Sequence, residues 1–321
     1  MPVRTRARAK RSARKAVEPQ AFQHLAPIPA WARSSGRAEQ GDPMFTAGAA
    51  LALLDAHLRC DPPAAGALRS RLALQSAAAS AKLLRLNTDE GALRDLRFVA
   101  GEGLAPAATL LALEHDLAGR PPSLDPDRLR AAVAALDLAL PDSNALASRL
   151  KTCAGEGDPA PAAVKAAAVA FFAVPDAPAP RPNSSPSECS TRRSPSGSAG
   201  GGRCRSSPLR FGGGARPRPS DPAWPNAAAG AIALAAAAAL DLATGLDRRA
   251  KTLIAVAPKL RAKPAAKIID LLLAQNCVAP AEAAHHAPMT DRTARRLFDR
   301  LVALGAAREF SGRPTFRLYG L

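Results

Sequence analysis

Apolar residues recur at helical spacing along most of this chain, interrupted by short Pro-, Gly- and Asp-rich turns. After Trp31 and the Gly-Asp-Pro cluster at 41–43, the pattern predicts helices over residues 45–59, 65–86, 106–118, 125–138, 142–152 and 161–172. Thr88, followed by Asp89 and Glu90, has the form of a helix N-cap with acids in the first turn. Residues 227–246 make one long Ala-rich helix that 247–257 continues or follows, with a stop near Pro258. Strand and helix do not alternate, so no parallel sheet is expected.

The pattern tightens in residues 265–321. A helix over 265–275 carries Ile268, Ile269, Leu272 and Leu273 as its apolar stripe. Residues 276–279 read as a turn. A short helix follows over 280–286, with Pro280 suited to its first position, and Pro288 ends it. Thr290 caps a third helix running to Leu304, and Gly305 sits where a left-handed glycine closes a helix. Ala294, Leu297, Phe298, Leu301 and Leu304 share one face of that helix; Arg292, Arg295, Arg296 and Arg300 lie on the other. Beyond Gly305 the period changes to two. Runs at 307–310 and 315–319 flank Ser311-Gly312-Arg313-Pro314, a hairpin signal. Phe310, Phe316 and Leu318 are expected to face the helices, and Glu309 and Arg317 to face out. Arg308 shares the parity of Phe310, which makes the first strand the weaker of the two. Three helices and a hairpin, in that order, are the order of a winged helix-turn-helix.

Composition sharpens the fold class. Apolar residues make up 47% of the 321 and aromatics only 4%. The apolar share is mostly Ala and Leu, which favour helix over strand. An all-α fold is therefore expected: a multi-helix Ala/Leu-rich body with a C-terminal winged helix-turn-helix and a small β-hairpin wing. No unbroken apolar run reaches the 18 or so residues of a membrane span, and no apolar segment follows the basic start as a secretory signal requires. Five scattered cysteines suit a reducing, cytoplasmic setting rather than a disulfide framework.

The formal charge of +17 is unevenly placed. Residues 1–16 hold seven Lys/Arg and no acid, and 177–219 hold eight Arg against Glu188, so 14 of the 17 charges sit in two segments without an apolar pattern. Net charge is therefore a poor argument for nucleic-acid binding here. Residues 175–225 read either as a flexible linker or as the product of a compensated frameshift in a GC-rich gene. Back-translating 182–212 with one permitted set of codons and reading two bases later yields an amphipathic helix, then a Trp, a Pro and a second helix. The chain thus divides into a basic arm (1–20), a helical domain (21–175), the linker or frameshifted segment (176–225), a long joining helix (226–264) and the winged module (265–321).

The chemistry that this pattern offers is recognition. A third helix fits the major groove of DNA, where base edges carry a readable donor and acceptor pattern, and arginine forks bind guanine or phosphate bidentately. Thr290, Arg292, Arg295, Arg296, Arg300, Arg313 and Arg317 are the candidate DNA-contacting residues, and double-stranded DNA is the expected partner. Two alternatives stand beside this. Arg295 and Asp299 have the spacing of a solvated i,i+4 pair, and a winged helix can dock a protein partner or a second copy of the chain instead. No membrane and no small-molecule substrate are expected.

Other motifs carry less. His285-His286 are adjacent and do not share a helix face, so they make a poor metal pair. His57 and His115 lie near Asp55, Glu114 and Asp116 in the manner of surface histidines. Cys189 and Cys204 lack metal spacing. Gly101-Glu102-Gly103 has no preceding strand and no third glycine. No nucleophile is matched with a base, and no Walker loop or nucleophile elbow is present, so no catalytic residue, cofactor, metal or enzymatic activity is expected. Trp31 and Trp224 read as core anchors.

Four stretches carry a resemblance: FTAGAALALLDAHLRCDPPAAGALRSRLAL at 45–74, DPAWPN at 221–226, VAPKLRAK at 256–263 and DRTARRLFDRLVALGAAREFSGRPTFRLYGL at 291–321. In these the chain resembles a family of bacterial proteins, mostly alphaproteobacterial, known as domain of unknown function 1403. The resemblance spans nearly the whole chain except the basic arm and 182–214. In that family the corresponding stretch looks like a helix, Leu-Gly-Trp, then Pro-Leu-Leu, features that the shifted frame also contains. The resemblance implies no activity and no functional residues. The C-terminal tail also looks like the winged-helix ends of Fic-type proteins, but the Fic catalytic motif is absent.

Overall fold

The computed structural model describes residues 42–84, 86–98, 106–120, 123–155, 157–174, 217–260, 264–312 and 316–321. The basic arm, Trp31, the glycines at 101 and 103, the segment 182–214 with Cys189 and Cys204, and Arg313 lie outside them.

The described chain is mostly helical, with one two-stranded sheet. Its helices are α1 (Pro43–Arg59), α2 (Ala65–Leu83), α3 (Glu90–Leu96), α4 (Pro106–Gly119), α5 (Pro126–Ala134), α6 (Ser143–Gly155), α7 (Pro159–Ala173), α8 (Trp224–Val256), α9 (Ala265–Ala274), α10 (Pro280–His286) and α11 (Asp291–Ala303). The strands are β1 (Arg308–Glu309) and β2 (Tyr319–Gly320). Local chemistry sets many of the boundaries. Asp42 and Asp125 each cap a helix whose first residue is Pro, their carboxylates accepting from Met44 and Asp127 N–H at 2.9 and 3.1 Å. The cap of α3 is Asp89, not Thr88: the Asp89 carboxylate accepts from Ala92 N–H at 2.7 Å, so the helix starts one residue later than the sequence suggests. Helix α5 stops at Ala134, short of the expected 138, and Asp137 then turns the chain in the left-handed region at φ 55°. The two stretches expected around 227–257 are one 33-residue helix, closed by a 3-10 turn over Ala257–Lys259.

Packing follows the small residues. The N-terminal half of α8 lies against α1 and α7 through Ala47, Ala160, Val164, Ala228, Ala229 and Ala233. A second cluster joins α2 to α3 and α4 through Leu74, Ala77, Leu93, Leu110 and Leu111. The largest cluster joins the C-terminal half of α8 (Leu246, Leu253) and Leu68 of α2 to α9, α11 and β2. The core of residues 265–321 is therefore continuous with α2 and α8. Gly66 makes this possible on α2: a Cβ there would come within 2.7 Å of the Ala274 Cα.

Strands β1 and β2 pair antiparallel, with Arg308 opposite Gly320 and Glu309 opposite Tyr319. Residues 276–279 do more than turn. Val278 bridges Tyr319 by two backbone bonds, N–H to O at 2.8 and 3.0 Å, and so extends the sheet from the α9–α10 connection. Leu318 and Tyr319 are both buried, Tyr319 within the cluster that joins α2, α8, α9 and α11.

Helix α8 with its 3-10 turn is long and apolar enough to cross a membrane by length and composition, a test that counting unbroken apolar residues does not make. Its buried Ala and Leu residues pack against α1, α7 and the C-terminal elements, as a core helix of a soluble protein also does.

Candidate nucleic-acid interface

Helix α11 has one apolar and one charged side. Ala294, Leu297, Phe298 and Leu301 are buried, and the Phe298 ring stacks on Tyr319 with centroids 4.5 Å apart. Leu304, expected on this buried face, is 37% exposed; the helix ends at Ala303, and Leu304 as C-cap leaves the helical line. At the other end Thr290 is the N-cap. Its hydroxyl accepts from Thr293 N–H at 3.3 Å and lies 2.9 Å from the Thr293 hydroxyl.

The candidate arginines fall into two groups. Arg292, Arg296 and Arg300 are exposed, and none has an ion-pair partner among the described residues. Spaced four apart, they form a row about 12 Å long, the rise of about three to four base pairs. Arg295 and Arg317 are engaged. Arg295 pairs with Asp291 at 2.7 Å, one turn N-terminal, and not with Asp299. Asp299 instead accepts from Arg317 at 3.4 Å and from the Tyr319 hydroxyl at 3.3 Å, and Arg317 also lies 3.9 Å from Glu309. Arg317 thus ties the hairpin to α11, and burial pushes the Tyr319 phenol above its ordinary range. Sequence periodicity missed Tyr319 as a core residue, because strand parity places it opposite Leu318. Tyr319 is the strand residue that turns to α11, through the Phe298 stack and the Asp299 contact, while Phe310 and Phe316 turn to a different surface.

That surface is a basic face of the body. Arg71 donates to Asn276 Oδ1 at 2.6 Å, and its guanidinium, like that of Arg94, lies over the Phe310 ring at 5.1 and 5.7 Å respectively. Arg97 donates to Gln275 at 3.0 Å and to Glu282 at 3.2 Å, while Phe98 meets Phe316 edge-on at 6.1 Å. Arg249 donates to the Leu321 carbonyl at 3.0 Å. Buried in this region, the Cys277 thiol is pushed up to about 11. None of these contacts uses the outward side chains of α11.

The remaining candidates gather no chemistry. His285 and His286 are exposed and meet edge-to-face at 5.6 Å. Among the described residues, no three of His, Cys, Asp and Glu converge as a metal site. His57 is buried and faces Asp247 on α8 at 3.8 Å; its sequence neighbour Asp55 pairs with Arg59. Burial, opposed by His57 and Lys251, raises the Asp247 carboxyl. Cys60 is exposed, and Cys153 and Cys277 are buried; all three are free thiols.

No curated protein and no solved structure matches the chain. One family does: its description reads "Protein of unknown function (DUF1403)", and the match covers residues 18–179 and 201–321. The interruption falls largely within the Arg/Pro/Ser-rich segment that follows α7. Covering most of the chain on both sides of that break, the match makes the chain a member of the DUF1403 family of proteins of unknown function.

Proposed function

We propose that residues 265–321 act as a winged helix-turn-helix, and that the protein binds double-stranded DNA through it in regulation or in plasmid or chromosome maintenance. The observation that carries this reading is the row of exposed arginines Arg292, Arg296 and Arg300, without ion pairs among the described residues, on a helix whose opposite face is core. The Val278 bridge supports it, because it ties the α9–α10 connection to the hairpin in a small sheet beside three helices. Thr290 and Arg295 flank the row, and Arg313 stands at the hairpin tip in the sequence. The protein acts as a non-enzymatic, cytoplasmic binding protein. A second role, docking of a protein partner, has its own observation: Val302 and Leu304, at the end of the same helix, are exposed apolar side chains.

The test uses the full chain, since the module shares its core with α2 and α8. Binding to mixed-sequence duplex DNA is measured by fluorescence anisotropy across a salt series. Binding that weakens steeply with salt is expected, with log K falling by about 0.9 per phosphate neutralised for each tenfold rise in salt. Arg292→Ala and Arg296→Ala should fold normally. Each should cost on the order of 1–3 kcal/mol at one base position if it reads bases, or flatten the salt slope by about 1 if it touches phosphate. If the wild-type chain binds no duplex at low salt, or both variants bind like wild type, DNA reading by α11 is wrong and the protein-docking role leads.

A further inference from the structure

A cleft of about 460 Å³ opens where the body meets the C-terminal elements, between α2, α4 and the end of α9. Its polar lining is Arg69 and Ser70 from α2, Arg97 after α3, His115 from α4, and Gln275 after α9. Among the described residues, no carboxylate lines it. Gly119 stands at its wall with open space where a Cβ would lie, while Gly66 is packed against Ala274. A much smaller pocket shares Ser70, Arg97 and His115 with it and is also lined by Leu74, Arg94, Leu111, Asn276 and Cys277. The volume lies in the range of small-molecule sites, and the lining is more polar than theirs usually is, which favours a charged guest.

The charge of this lining is one-sided. Arg69 is exposed and has no ion pair among the described residues, so its guanidinium is available to a guest. Arg97 is shared: it lines the cleft while it donates to Gln275 and Glu282. Two guanidinium forks, a hydroxyl and an amide line the same cleft, and all of them can donate to an oxyanion. We propose that this cleft binds a small molecule bearing a carboxylate or phosphate group, held between Arg69 and Arg97, with His115 and Ser70 beside it. The ligand sits on the residue that ties the body to α10, because an oxyanion at Arg97 competes with Glu282 for the same guanidinium. Occupancy of the cleft therefore bears on how the C-terminal elements are seated. The site uses no residue of α11, so it stands whether or not that helix reads DNA.

The test is thermal unfolding of the full chain with sodium phosphate or sodium succinate titrated against sodium chloride at equal ionic strength. A ligand that binds only the native state raises Tm. Phosphate or succinate should raise Tm beyond chloride, and the larger surplus names the anion class. Arg69→Ala should lose that surplus, and Arg59→Ala, which removes another exposed arginine, on α1, should keep it. An independent readout is the His115 imidazole titration followed by proton NMR. Burial and the Arg97 charge hold it low, and an anion in the cleft should shift it upward. The proposal is overturned if neither anion exceeds chloride, if Arg69→Ala retains the surplus, or if Arg59→Ala loses it as well.

Discussion

Helices α8 and α11 solve the same problem with opposite means. On α11 the buried side is Ala294, Leu297, Phe298 and Leu301, and the exposed side is arginine and aspartate. Polarity alone decides which way that helix faces. On α8 alanine occupies both sides: Ala236 and Ala239 are buried, while Ala235 and Ala238 are exposed. Polarity cannot orient such a helix. Its seat is set by shape, since small side chains let α1 and α7 approach closely at Ala229 and Ala233. A helix oriented by polarity should suffer most from losing volume, and one oriented by shape should suffer most from gaining it.

The largest expected effect tests the first half of this contrast. Phe298→Ala removes a fully buried ring from its stack on Tyr319 and should cost about 3–5 kcal/mol in denaturant unfolding. A loss below about 1 kcal/mol would mean that α11 is not seated by this face. Next comes overpacking. Ala229→Leu, at a buried site between α8 and its neighbours, should cost about 1–3 kcal/mol. Ala235→Leu, less than two turns on and exposed, should stay within about 0.5 kcal/mol. Equal costs at the two positions would show that α8 has no preferred side.

A smaller effect, about 1 kcal/mol, is expected for Thr290→Ala, which frees the N–H of Thr293 that the hydroxyl satisfies. Because the arginine row lies beyond this cap, duplex binding should fall less than for Arg296→Ala. A fall just as large would make Thr290 a contact in its own right.

The smallest effect is pH dependence. His115 titrates lower in the folded chain than in the unfolded one, chiefly because burial disfavours the charged ring. The unfolded state therefore binds its proton first as pH falls through the imidazole range. Stability should drop on acidification there and recover as pH rises. His115→Gln should flatten that slope in unfolding curves taken between about pH 5 and 7.5; an unchanged slope would assign it to another group.

Much of the local structure was legible in the residues. Pro280 opening α10, Thr290 capping α11 and Gly305 at φ 68° closing it are local events, decided by a side chain and its own backbone. One miss was local: Asp89, not Thr88, became the cap, its carboxylate accepting from the Ala92 N–H three residues on. Another was not. The engagement of Arg317 by Asp299 was hidden because the partners lie on different elements.

The sequence by itself determined that this chain is mostly helical, where most helices begin and end, and that α11 carries arginines opposite an apolar stripe. Those properties follow from propensity, caps and period, which act within a few residues. Only the tertiary structure decided that Val278 joins the hairpin's sheet, that α2 and α8 complete the core of the C-terminal elements, and that Arg69, Arg97 and His115 line one cleft. These meetings join residues far apart in the chain, such as Arg71 with Asn276 and Arg249 with Leu321. No local period encodes them; packing of the whole molecule selects them.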